Sequence, residues 1–194
     1  MSTKVRSAVI ALLAAAFVTP ATVADAKTRV SPAKAVAAAA QECPNADLEP
    51  AADNLGRIHE AIRCLHNEIR AAEGLPKLRE HKRLRKAAVG HSRDMVNERY
   101  FEHTTPTGVT MVDRILRARY VHEDQGWMLG ENLAWGTGAL STPRGALEGW
   151  MKSPGHRANI VRRSFRELGV GVVLGVPVRG AAGATYTVDF GVRR

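Results

Sequence analysis

The chain is poor in cysteine and aromatics, and each shortage narrows its chemistry. Cys43 and Cys64 are the two cysteines in 194 residues, and they are not spaced as Cys-x-x-Cys, which argues against a thiol redox motif. Aromatic residues make up 5% of the chain and do not accompany the scattered Lys and Arg. That pattern speaks against nucleic-acid binding and against an aromatic sugar platform built on Trp127, Trp135 and Trp150. After one apolar run at 7–18 no second long run follows, so no transmembrane anchor is expected in the mature protein. No cysteine directly follows that run, which argues against lipid attachment. No His-Glu-x-x-His and no internal repeat occur.

The N-terminal pattern reads as a secretory signal peptide over 1–26. Lys4 and Arg6 precede the apolar run, and Ala24-Asp25-Ala26 fits the small-x-small cleavage rule. The competing reading, an uncleaved anchor, needs an apolar stretch of ~20 residues. Removing the signal leaves 26 basic and 18 acidic side chains, a net +8. A basic exported protein of this kind is attracted to anionic wall polymers or lipid headgroups, or simply carries a solvated basic surface. An even cysteine count in an exported chain favours a Cys43–Cys64 disulfide, with a reactive thiol pair as the alternative. Residues 27–42 show no core pattern and read as a flexible leader. Residues 43–194 suffice for one domain with its own core.

Leu55, Ile58, Ile62, Leu65 and Ile69 recur at intervals of three and four and predict a helix over 52–73, stopped by Gly74 and Pro76. A second helix is expected over 80–98, with His91 on its inner face as a core histidine. Thr110 and Asp113 form a capping-box pattern, and Thr142-Pro143 and Ser153-Pro154 open two more helices. Alternation predicts strands over 168–176 and 185–192, joined by a Gly-rich turn as an antiparallel hairpin. Residues 133–135 are a third candidate strand. Helices first and a hairpin last give an α+β domain with a small sheet packed between helices.

The candidate chemistry lies between Phe101 and Asn159. His103 sits in a polar loop and is read as a ligand or acid–base group, or else as a surface histidine bonded to backbone. His156 falls in the first turn of a helix, where the macrodipole disfavours protonation and leaves a neutral imidazole able to bind metal. Glu131, between Gly130 and Asn132 at the mouth of the short strand, could receive His156 or a metal's water, or serve loop amides. Asn132 and Asn159 read as hydrogen bonders and Ser153 as an N-cap. No third group orients a Ser153–His156 pair, which argues against nucleophilic catalysis. Two imidazoles and one carboxylate would suit a divalent metal such as zinc with one open position. His59, His66, His81 and His122 lie among charged neighbours and are expected at the surface.

His91-Ser92-x-Asp94-Met95, Phe101-x-His103, Gly130-Glu131-Asn132, Trp150-Met151-x-Ser153-Pro154-Gly155-His156-Arg157 and Tyr186-Thr187-x-Asp189-Phe190-Gly191 together resemble the bacterial branch of the CAP superfamily, or SCP domain. The resemblance implies an α-β-α sandwich with a central cleft in an exported monomer. It also implies a cleft set in which His103 matches the first His, Glu131 the first acid and His156 the second His. Ser153 occupies the second acid's place, so that set lacks one carboxylate. A cleft of His103, Glu131, Asn132, Ser153 and His156 then supports three functions. The first is a secreted or envelope-associated module binding lipid, sterol or anionic cell-wall polymer. The second is a metal-dependent, peptidase-like hydrolase with Glu131 as base. The third is an interaction protein that makes no use of the cleft.

Overall fold

The computed structural model describes residues 30–124 and 126–193; the expected signal peptide at 1–26 lies outside them. Helix α2 (Leu55–Ala72) follows the predicted stripe, with Ile58, Ile62, Leu65 and Ile69 buried. It stops at Gly74, whose φ of 65° suits a residue without Cβ. The buried face is wider than the aliphatic stripe. His59 and His66, expected at the surface, are 3% and 0% exposed. His66 Nδ1 donates to the Ile62 carbonyl at 2.8 Å, and its ring packs against Trp150 and Phe190.

The expected flexible leader is corrected from residue 32 onward. Pro32–Glu42 forms helix α1, capped by Ser31, and buries Val36, Ala39 and Ala40 in the main core. A run of alanines gives no hydrophobic stripe by size, yet alanine is the best helix former and allows close approach to neighbouring helices. Cys43, at the end of α1, is bonded to Cys64 of α2. The disulfide therefore ties two helices rather than an extended arm to a helix.

The sheet has strand order β1-β3-β4-β2, built from β1 (Arg79–Glu80), β2 (Trp127–Gly136), β3 (Glu167–Leu174) and β4 (Ala184–Arg193). The β3–β4 hairpin and the β2–β4 pair are antiparallel, as expected, but β1 joins β3 in parallel. Glu80, predicted to open the second helix, lies in that short strand. The helix begins two residues later as α3 (Lys82–Glu98), capped by His81. Helix α4 (Met111–Arg117) carries the predicted Thr110–Asp113 capping box. Helices α5 (Pro143–Lys152) and α6 (Pro154–Ile160) follow with proline in their first turns.

One face of the sheet presents Leu168, Val170, Tyr186, Val188 and Phe190 to α1, α2 and α5. On the other face β3 presents glycines at its centre. A Cβ at Gly169 or Gly171 would lie 2.1 Å from the Arg85 nitrogen or 2.4 Å from the Ala88 carbonyl carbon, so α3 rests directly on the strands. Ser92 donates to Thr187 Oγ1 at 2.8 Å across this seam. The result is an α-β-α sandwich. Buried Arg70 fastens one end of it by donating to the carbonyls of Pro76, Ile160, Arg162 and Phe165.

Candidate functional site

Glu131 lies inside β2, not at a strand mouth, and its cross-strand partner is Asp189 of β4. Their side chains share the α3 face of the sheet. At 6% exposure Glu131 needs partners for its charge. Its Oε1 receives His103 Nδ1 at 2.8 Å, and its Oε2 receives Arg114 at 2.6 Å. Burial alone would raise the Glu131 pKa. The hydrogen bond from His103 and the charge of Arg114 outweigh burial and hold it below the usual carboxylate value.

Arg114 projects from α4 and does two things at once. One nitrogen holds Glu131, and another donates to the His103 and Val109 carbonyls at 3.0 and 3.3 Å. The loop between α3 and α4 is tightened further by Thr105, whose hydroxyl accepts from the Val109 amide. His103 is thereby held on a braced loop, with its side chain 56% exposed. The hydrogen bond to Glu131 raises its pKa despite partial burial, which favours the protonated imidazole, a donor at both nitrogens.

His156 belongs to α6. Asn132 donates to the His156 carbonyl at 3.0 Å, and Asn159 donates to Asn132 Oδ1 and the Glu131 carbonyl at 3.0 and 3.2 Å. These amides lock α6 onto β2, so Asn132 is a mid-strand tether. The His156 pKa is lowered, as expected, but the causes are burial first and then the positive charge of His103. Ser153 stands at the N-cap position, yet its hydroxyl caps nothing. Among the described residues no hydrogen bond joins it to His156.

Sequence reasoning missed Arg114 and Asp189. Asp189 is 1% exposed. Burial, and then the adjacent Glu131 charge, raise its pKa well above the ordinary value. The carboxylate that faces it across the ladder is Glu131. The signal was present: Asp189 interrupts an apolar strand between Val188 and Phe190, on a sheet whose two faces both had helices to cover them. His91 is buried as expected, with Nε2 donating to the Glu102 carbonyl at 3.0 Å, so it buttresses the His103 loop from beneath.

The site therefore sets Glu131, with both oxygens engaged, beside an Asp189 and a His103 whose pKa values are raised and near a His156 whose pKa is lowered. Glu131 orients His103 through Nδ1, but among the described residues the donor atoms of His103, Glu131 and His156 do not come together as a three-ligand metal group.

The solved structure of an extracellular protein containing an SCP domain from Bacillus anthracis is 32% identical, with a TM-score of 0.58, over 75% of this chain and 44% of that one. An outer surface protein of Borrelia burgdorferi shares the fold at 20% identity, with a TM-score of 0.55, over 74% and 95% of the two chains. Two Bacillus subtilis proteins are also similar. The uncharacterized protein YkwD is 35% identical over 109 residues, covering 56% of this chain and 40% of its own. The uncharacterized membrane protein YlbC is 37% identical over 108 residues, covering 56% and 29%. The match thus spans less than half the length of these two relatives. Residues 64–188 match the family described as CAP, the cysteine-rich secretory protein family, and with more than half its length inside that match the chain belongs to the CAP family.

Proposed function

We propose that this protein is an extracellular or envelope-associated binding module. Its His103–Glu131–His156 cleft would hold the anionic group of a lipid or of a cell-wall polymer. The observation that carries this reading is the state of Glu131. Both of its oxygens are committed, to His103 and to Arg114, so it orients a cationic imidazole and is not free to act as a base. His103 then presents an N–H donor to an acceptor in the cleft, and exposed Phe101 supplies an apolar rim two residues away. A phosphate diester meets that chemistry, whether in a lipid headgroup or in a wall polymer. A sterol, with a single hydroxyl, uses less of it. The extracellular setting is supported by the similar Bacillus anthracis protein and by the basic charge of the chain. No described helix is long and apolar enough to cross a membrane.

The test is sedimentation of the mature protein with phosphatidylglycerol vesicles, with phosphatidylcholine vesicles and with a phosphate-bearing wall polymer. Binding to an anionic target should weaken about tenfold, or ~1.4 kcal/mol, in His103→Ala. Affinity no tighter than about millimolar (~4 kcal/mol) for every target contradicts the reading.

The lowered pKa of His156, caused by burial and then by the charge of His103, favours a second reading, a zinc-dependent hydrolase. His103 Nε2 and His156 would hold the ion, which supplies Lewis acidity and an activated water. Glu131 could serve as base there only after releasing Arg114 or His103. Peptidase activity that survives both chelation and His156→Ala would contradict it.

A further inference from the structure

A second group of donors lies away from the cleft, between α2 and β1. His59 of α2 is 3% exposed. Its Nε2 sits 2.9 Å from Glu80 Oε1 but makes no directed hydrogen bond, to Glu80 or to any other described residue. Its Nδ1 is 3.4 Å from Glu60 Oε1. His59, Glu60 and Glu80 each offer a donor atom within 4.8 Å of the others.

We infer that His59, Glu60 and Glu80 form a divalent-cation site suited to zinc, independent of the His103–His156 cleft.

Three features support it. First, a nitrogen and a carboxylate oxygen in contact without a proton in line between them is the arrangement of two ligands turned toward a common third centre. Buried polar atoms normally make a hydrogen bond, and Nε2 makes none among the described residues despite its contact with Glu80. Second, the imidazole stands between two carboxylate oxygens, Glu80 Oε1 on its Nε2 side and Glu60 Oε1 on its Nδ1 side. Glu60 facing Nδ1 is the carboxylate that fixes such a ligand's tautomer, or a third ligand through the same oxygen. Arg63 occupies the other Glu60 oxygen, Oε2, and leaves Oε1 free for this role. Third, His59 lines a cleft of 420 Å³ between α2, α3 and β3, which gives an ion an entry path and room for water at an open position. Arg85 stands 3.5 Å from Glu80 Oε1 and is half exposed, so it is the cation that an incoming metal would displace.

The test uses zinc itself, on the mature protein carrying His103→Ala and His156→Ala so that the cleft cannot contribute. Calorimetric titration should find about one equivalent bound, and the thermal midpoint should rise with added zinc because the ion binds the folded state. Glu80→Gln, on a partly exposed side chain that leaves the core intact, should weaken binding at least about tenfold, or ~1.4 kcal/mol, and abolish the midpoint shift. Cobalt in place of zinc should give a visible spectrum with one imidazole ligand, lost in His59→Gln. No zinc binding in the cleft-deficient protein, or binding unchanged by Glu80→Gln, overturns the assignment. Loss of binding in His103→Ala/His156→Ala alone would place the metal in the cleft and likewise overturn it.

Discussion

Glu131 and Asp189 face each other across the β2–β4 ladder, the pKa of the first held down and that of the second pushed up. Two carboxyl groups this close and this buried do not both ionise. Arg114 and His103 decide which one does, because both reach Glu131.

The Asp189 carboxyl carries a pH signature. The folded-state pKa of Asp189 is raised by burial and then by the Glu131 charge. Between the unfolded value and that raised value the folded protein binds the extra proton, so stability falls as pH rises through the window. Asp189→Asn removes the titration and keeps the shape. Urea midpoints measured from pH 4 to 8 should diverge, with the variant gaining on the parent as pH rises. Parallel curves would mean that Asp189 does not hold a proton.

Arg114 is the keystone of the cleft. Its side chain is 10% exposed beside a Glu131 side chain that is 2% exposed. Removing one member of a buried pair leaves an uncompensated charge. Arg114→Met should cost about 3 kcal/mol of stability, read as a lower urea midpoint, and should disorder the His103 loop. Adding Glu131→Gln to that variant should restore part of the loss, since no charge is then stranded.

The two cleft histidines should titrate on opposite sides of the ordinary imidazole value. His103 is raised by its hydrogen bond to Glu131, and His156 is lowered by burial and by His103. The His103–Glu131 contact is therefore fully present below the unfolded histidine pKa and is lost as pH rises through the folded one. An NMR titration of the ring protons should find His103 above and His156 below that value. In Glu131→Gln the His103 value should drop and the two should approach each other.

His66 provides an acid-sensitive core. Burial lowers its pKa to about 4, so between pH 6.5 and 4 the unfolded chain takes up a proton that the folded one refuses. Stability should decline over that interval by about 3 kcal/mol. His66→Leu should flatten this part of the stability profile, while a parent-like slope in the variant would assign the acid sensitivity elsewhere.

The legible parts of this fold were those written in local pattern. The Ile58–Ile62–Leu65–Ile69 stripe, the Thr110 and Thr142 caps and the β3–β4 alternation each need a few adjacent residues, and all are realised. The docked α1 was not legible, because Ala39 and Ala40 are buried by what packs on them and not by their own size. Buried His59 and His66 were misread for a related reason: their helix is covered from two sides, and sequence neighbours do not reveal the second. The loop and turn motifs marked His103, Glu131 and His156 as candidates. Arg114 and Asp189 escaped because their roles arise from strand register and from one arginine spanning two elements. Those are long-range facts that spacing along the chain does not encode.

The central claim is that His103, held charged by Glu131, receives an anionic group in the cleft. The direct measurement is an amide and imidazole NMR titration of the mature protein with dihexanoyl phosphatidylglycerol below its micelle concentration. Shifts are predicted to concentrate on His103, Glu131, Asn132, Ser153 and His156, and to vanish in His103→Ala. A saturable response confined to other surfaces, or no response at these residues, would contradict it.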